Sequence, residues 1–597
     1  MKKIIILCCG LMMLSCSDDY LDQVPDDRLT FDETFSKQNT VRGYLANIYS
    51  RFPNEFSQRY TTSANSGPWT GASDEAEYVW GFHMGNNLNI ADWNATTQNV
   101  SNLWSNFYRG IRASTTLINS IDQCQNCSAD IKEQYAAEAR ILRAFYYYNL
   151  MRSWGPILLM PETVVPTNAN LDELGLERNS IDAVTNYIVS ELDKGAEALD
   201  GVNFDGQNAG RMSTPFAMAI KEKTLLFAAS PLYNGNSDYS DLIDSEGNNL
   251  VPQSYDQQKW KKAADAAKAF IDKFVPSSFE LYKEFNNDGS LNPFLSVKNS
   301  TLEDFNVEII YAIPRGNNSY QYDVTPLHIG VAGNSPTGAG GLSVTQEMVD
   351  AFFTNSGRSI DDPQSGYRDS GFSDFQAPDD FAPRTTFNPW TNREPRFYAG
   401  VTYNNRLWLN RNFGDIVTTT WYSGNSGIQA GTNDYPPTGY IVRKKAAEDY
   451  GARSLPYMRL AEIYLDYAEA LNEYDPGNPD ILKYVNLIRE RAGIPEYGDV
   501  DLPAPSGQDA VREAIHKERR IELFVENVRY FDARRWKIAE DAFGGDMHGK
   551  DVNARDEQEF YNTVVFEKRV FRPQDYLWPI PQDEINANPK LIQNPGW

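Results

Sequence analysis

Cysteine and histidine are scarce: five and four among 597 residues. His83, His328, His516 and His548 show no metal-ligand spacing with one another or with the cysteines, which leaves little basis for a zinc site. Basic residues are outnumbered, 55 Lys and Arg against 81 Asp and Glu, for a formal charge of −26. Nothing here neutralises phosphate in bulk, so nucleic acid is excluded as a partner. No apolar run reaches the roughly 20 residues a spanning helix needs, and the mean hydropathy of −0.53 excludes a polytopic membrane protein. GxSxG, HExxH, Walker A and EF-hand patterns are all missing. Gly338-Ala339-Gly340-Gly341 has no flanking strand and helix for a nucleotide fingerprint and reads as a flexible loop. Among 81 acids, chance pairs are inevitable, so a glycosidase pair cannot be argued from spacing.

What is present supports a large core: 41% hydrophobic and 23% charged residues, too long a chain for one ordinary domain. The first residues, MKKIIILCCGLMMLSC, join a basic pair to a short apolar run, the pattern of a secretory signal spanning 1–15. Leu14-Ser15-Cys16 resembles the lipobox of bacterial lipoproteins, which makes Cys16 the expected site of lipid attachment and the lipid the expected membrane anchor. Removal of Lys2 and Lys3 takes the charge to −28. Ser17-Asp18-Asp19 resembles the surface-export signal of Bacteroidota lipoproteins; a solvated acidic tail is the other reading. Cys124 and Cys127 remain, and an oxidising exterior favours a short local disulfide between them.

Helical patterns are dense on both sides of a loop-rich middle. Spacing and punctuation predict helices near 102–121, from the Asp130/Glu133 pair to Ser153, from Ser180 to Leu199, from Thr214-Pro215 to Ser230, and over 257–274. A second set runs from Leu460 to Asp475, from Asn478-Pro479 to Gly493, and over 508–525. The expected class is mostly α: a tetratricopeptide-like array of helix pairs with a large loop-rich insertion holding a few short strands. The expected division is 16–281, with a ligand loop at 52–99, then the variable insertion 282–450, then helical 451–597.

The candidate chemistry is aromatic. Trp69, Trp80 and Trp93 lie in the first loop stretch beside Asp74, and Trp390, Trp408 and Trp421 lie in the insertion near Arg393, Arg406 and Arg411. A sugar ring offers a C–H face on which indole stacks and a hydroxyl rim that carboxylates and guanidinium groups can bond. Each of these tryptophans could instead be core or a loop anchor. Asp238, Asp241 and Asp244 cluster as a candidate Ca²⁺ site, with a solvated acidic loop as the plainer reading.

Several segments together resemble the SusD/RagB family of outer-membrane nutrient-binding lipoproteins. They include Asp19-Tyr20-Leu21-Asp22, Leu103-Trp104, Ala137-Glu138-Ala139-Arg140 through Tyr146, and Trp154-Gly155-Pro156. Asn306 to Tyr311, Arg393-Glu394-Pro395-Arg396-Phe397 (Glu394 where Asp is usual), Leu460 to Ala470, Arg489 to Gly493, Glu518 to Leu523 and Trp578-Pro579-Ile580-Pro581 continue the match to Trp597. The resemblance implies four tetratricopeptide-like helix pairs. It also implies a cell-surface lipoprotein that captures oligosaccharides, catalyses nothing, needs no cofactor and serves a SusC-like TonB-dependent transporter. Trp80 stands roughly where starch-binding members carry a stacking Trp. Trp536 and Trp597 fall in scaffold blocks. The alternatives are a surface glycosidase and a helical adaptor without its own ligand.

Overall fold

The computed structural model describes residues 29–597 apart from 61–65, 167, 170–174, 315–317, 332–336, 409–413 and 448–452. Cys16, the acidic residues after it and Arg411 lie outside the described residues. Eight helices of 14 or more residues carry the architecture among the described residues: α1 (Gln98–Ser120), α2 (Ala129–Trp154), α3 (Ile181–Ala198), α4 (Thr214–Ala229), α5 (Gln257–Phe274), α6 (Leu460–Tyr474), α7 (Pro479–Ala492) and α8 (Gln508–Glu522). Each packs on the next from α1 to α7, and α8 packs back on α6, so the array runs unbroken from α5 to α6 although nearly 200 residues separate them.

Local chemistry sets the helix ends. Ser128 caps α2 through the N–H of Ile131, two residues before the expected acidic pair. Ser180 caps α3, and Ser213, rather than Thr214, caps α4 with Pro215 in the first turn. Gly493, in the left-handed region at φ 72°, ends α7. Cys124 and Cys127 form a disulfide between α1 and α2. No helix among the described residues is long and apolar enough to cross a membrane.

Among the described residues, six two-stranded antiparallel sheets accompany the helices. Strand Ile309–Ile313 pairs with Leu455–Arg459, so the insertion leaves and re-enters the array through one ladder. Strand Ala76–Tyr78 pairs with Leu342–Val344 and ties the first loop stretch to the insertion. The helices enclose one apolar core, and the insertion forms a second around Trp390, Phe397 and Tyr440.

A buried ionic network joins the two cores. Glu308 accepts from Arg459 at 2.6 Å and from Arg491 at 2.9 Å. Glu522 binds Arg459, Arg491 and Arg396, and Arg396 also holds Glu394 at 2.6 Å and Glu518 at 2.5 Å. All of these residues except Arg459 come from four of the motifs that carry the family resemblance. Their role is to fix the insertion on the array, because a buried ion left without its partner costs about 3–5 kcal/mol.

Candidate functional site

The second core supports a ring of exposed aromatic side chains at its edge. The short helix Gln58–Tyr60 is anchored where Gln58 donates to Glu55 O at 2.7 Å and to Thr70 Oγ1 at 3.2 Å. Val79 N–H donates to Gly341 O at 2.9 Å, and His83 N–H closes a turn on Trp80 O at 2.9 Å. Asn86 Nδ2 clamps that turn from below through Tyr78 O and Trp80 O. The turn carries Phe82 at its tip. His83 is fully buried against Tyr78, its ring centroid 4.0 Å away, and burial pushes its pKa down to about 3, so it is a neutral structural group.

Phe82 is 59% exposed and Tyr60 48% exposed, with centroids 5.9 Å apart and planes only 6° from parallel. Trp80 continues the row at 6.4 Å from Phe82 and 20° from its plane. Tyr322, 37% exposed, projects from the helix Asn318–Val324. Between Trp80 and Tyr322 lies the Arg59 guanidinium, 3.7 Å and 4.8 Å from their ring centroids. Arg59 also faces Asp323 at 2.6 Å. Burial pushes Asp323 up to about 8, with Arg59 opposing and Asp434 adding to the rise. Asp434 accepts the Trp80 indole N–H at 2.9 Å.

The glycine run predicted as a flexible loop packs tightly beneath this platform. A Cβ on Gly341 would lie 2.7 Å from the Trp80 ring, and one on Gly338 would lie 2.3 Å from Thr325 O. Glycine is needed there so that backbone can approach the indole and the helix Asn318–Val324.

Trp80 therefore forms the wall of the platform, only 9% exposed, rather than its free surface. Five other expected ligand residues are buried. Trp69 packs on Tyr530, Phe531 and Trp578, and Trp93 on Trp578 and Trp597. Trp390 is 0% exposed and donates to Tyr440 OH, while Trp408 is sealed by His328 and Arg443. None of the four can offer a ring face. Asp74 is buried between Arg520 and Arg529, each at 2.8 Å; burial works to raise its pKa, but the two guanidinium groups hold it at about 2. Trp421 is half-buried in a separate loop. The calcium candidate also dissolves: Asp238 pairs with Lys537, Asp244 accepts the N–H groups of Glu246 and Asn248, and Asp241 is exposed. Among the described residues no three His, Cys, Asp or Glu side chains are placed to hold a metal ion.

The expected ligand residues, six tryptophans and Asp74, did not include Tyr60, Phe82 or Tyr322. The available signal was Trp80-Gly81-Phe82, a second ring two residues away within a polar loop.

A family profile described as the SusD family matches residues 307–597, and one described as starch-binding, associating with outer membrane, matches 19–213. A SusD-like protein of Bacteroides ovatus is 23% identical over 46% of this chain and 50% of its own length, so that match spans half of the relative. The SusD-like protein P25 of Formosa agariphila is 21% identical over 98% of this chain and 96% of its own. Two crystal structures from Bacteroides fragilis NCTC 9343 share the fold. A SusD-like protein superposes with a TM-score of 0.74 at 22% identity, covering 95% of this chain and 99% of the other. A SusD-like carbohydrate binding protein gives 0.65 at 19%, covering 94% and 100%. All residues of the buried Arg–Glu network lie within the span of the first profile. The chain belongs to the SusD/RagB family.

Proposed function

We propose that this protein is a cell-surface glycan-binding lipoprotein, tethered through Cys16, that captures oligosaccharides on the Tyr60–Phe82–Tyr322 platform and passes them to a SusC-like TonB-dependent transporter without cleaving them. The observation that carries the binding reading is the pair of exposed parallel rings, Tyr60 and Phe82, held rigid from beneath. Monomeric proteins rarely leave such apolar faces open without a use. Sugar C–H faces suit them, and Asp434, Arg59 and Tyr322 supply polar groups at the rim. The starch-binding description of one profile and the carbohydrate-binding name of one relative support the ligand class. In this reading the insertion 282–450 and the loop 52–99 carry the ligand, and the helices on either side carry the transporter contact.

Calorimetric titration against a panel of neutral plant, host and microbial oligosaccharides tests the reading. At least one is expected to bind saturably, and Phe82→Ala is expected to weaken it by about five-fold, the equivalent of one lost ring contact of about 1 kcal/mol. Silence across the panel, or affinity indifferent to both Phe82→Ala and Tyr60→Ala, would remove the platform as the site. Chromatography of the incubated glycans should show no new products; released fragments would make it an enzyme.

A further inference from the structure

A cavity that shares no lining residue with the platform lies between α1 and the segment 160–165. Its volume is about 360 Å³, within the range of roughly 300–1,000 Å³ typical of small-molecule sites. Ile111, Met160, Val164 and Val165 give it an apolar lining, and Val164 stands exposed at the mouth. Arg112 donates to Val165 O at 2.8 Å and so holds the segment over the helix.

Two opposite charges line this one space. Arg109, one turn before Arg112 on α1, is exposed, and among the described residues its guanidinium has no ion pair and no hydrogen bond. Glu584 lines the cavity from the C-terminal segment, and among the described residues its carboxylate likewise has no ion pair and no side-chain hydrogen bond. Burial raises the Glu584 pKa, with Asp583 adding to the rise. A desolvated carboxylate without a cation gains from an incoming ammonium, and an idle guanidinium gains from an incoming carboxylate. Arg109 and Glu584 line the same cavity and do not pair with each other.

We propose that this cavity binds a small zwitterion bearing an apolar side chain, with its carboxylate on Arg109, its ammonium on Glu584, and its side chain against Met160, Val164 and Val165. The chemical class is that of a free aliphatic α-amino acid.

The test titrates the full mature chain with L-leucine and with two analogues that each lack one charge, 4-methylpentanoate and 3-methylbutylamine. Leucine is expected to bind, and each analogue to bind about tenfold more weakly, the usual worth of one charge-assisted contact. Arg109→Gln should weaken leucine about tenfold and leave the amine unchanged; Glu584→Gln should weaken leucine equally and leave the carboxylate unchanged. Glycan affinity at the platform should be the same in both variants, which separates this site from the glycan reading. No binding of leucine up to about 20 mM, analogues that match leucine, or variants that bind like the parent would each overturn the proposal.

Discussion

Replacing Glu222 with glutamine should make the protein more stable above neutrality and change nothing in acid. Glu222 lies on α4, fully buried, facing Asp466 on α6. Neither Glu222 oxygen nor Asp466 Oδ2 has a donor available while both groups are ionised. Asp466 is ion-paired with Arg519, which opposes the burial that raises the Asp466 pKa to about 6. A proton held on Glu222 resolves the conflict, because its O–H can then donate to Asp466. Burial is the larger cause, repulsion from Asp466 the next, and together they raise the Glu222 pKa well above the ordinary carboxylate range. The sign follows directly. The folded chain keeps a proton that the unfolded chain releases near pH 4.3, so this stability is whole below that pH and is lost as pH rises. Each pH unit over which the folded chain retains the proton is worth about 1.4 kcal/mol, so the parent should lose stability between pH 5 and pH 7 that Glu222→Gln does not. The glutamine amide donates to Asp466 at every pH. Urea midpoints for both proteins from pH 5 to pH 8 give the comparison, since titrating groups other than the Glu222–Asp466 pair cancel in the difference. A difference that is flat in pH would refute the shared proton, as would a variant less stable than the parent at pH 7.

Trp390→Ala should cost about 3–5 kcal/mol, the usual cost of emptying a buried indole site, read as a lower urea midpoint with glycan affinity of the folded fraction unchanged; lost affinity at full stability would return Trp390 to the ligand site. Replacing both Cys124 and Cys127 with serine should cost no more than about 2 kcal/mol, because the bridge closes a loop of only a few residues. Melting temperatures with and without reductant check that value, and glycan binding should be unaffected.

The helices were legible because their signals are local. Caps, prolines and apolar stripes at helical spacing placed α3, α5 and α7 within a few residues of where they lie. The two-residue error at the start of α2 has the same origin, since Ser128 and Asp130 are both good caps and only the path of the preceding chain chooses between them. The sequence alone thus determined the helical class, the Cys124–Cys127 pairing chemistry and the motifs that mark the family. Which rings face solvent was decided only by the tertiary structure. Trp93 is sealed by Trp578 and Trp597, and Trp69 by Tyr530 and Phe531, partners that lie more than 400 residues away in the chain. Tyr60, Phe82 and Tyr322 come together where the strand Ala76–Tyr78 pairs with Leu342–Val344 and Arg59 reaches Trp80 and Tyr322. Capping and periodicity are properties of neighbouring residues, whereas burial is a property of the whole packed chain, and no local pattern records which side of a ring the distant segments will cover.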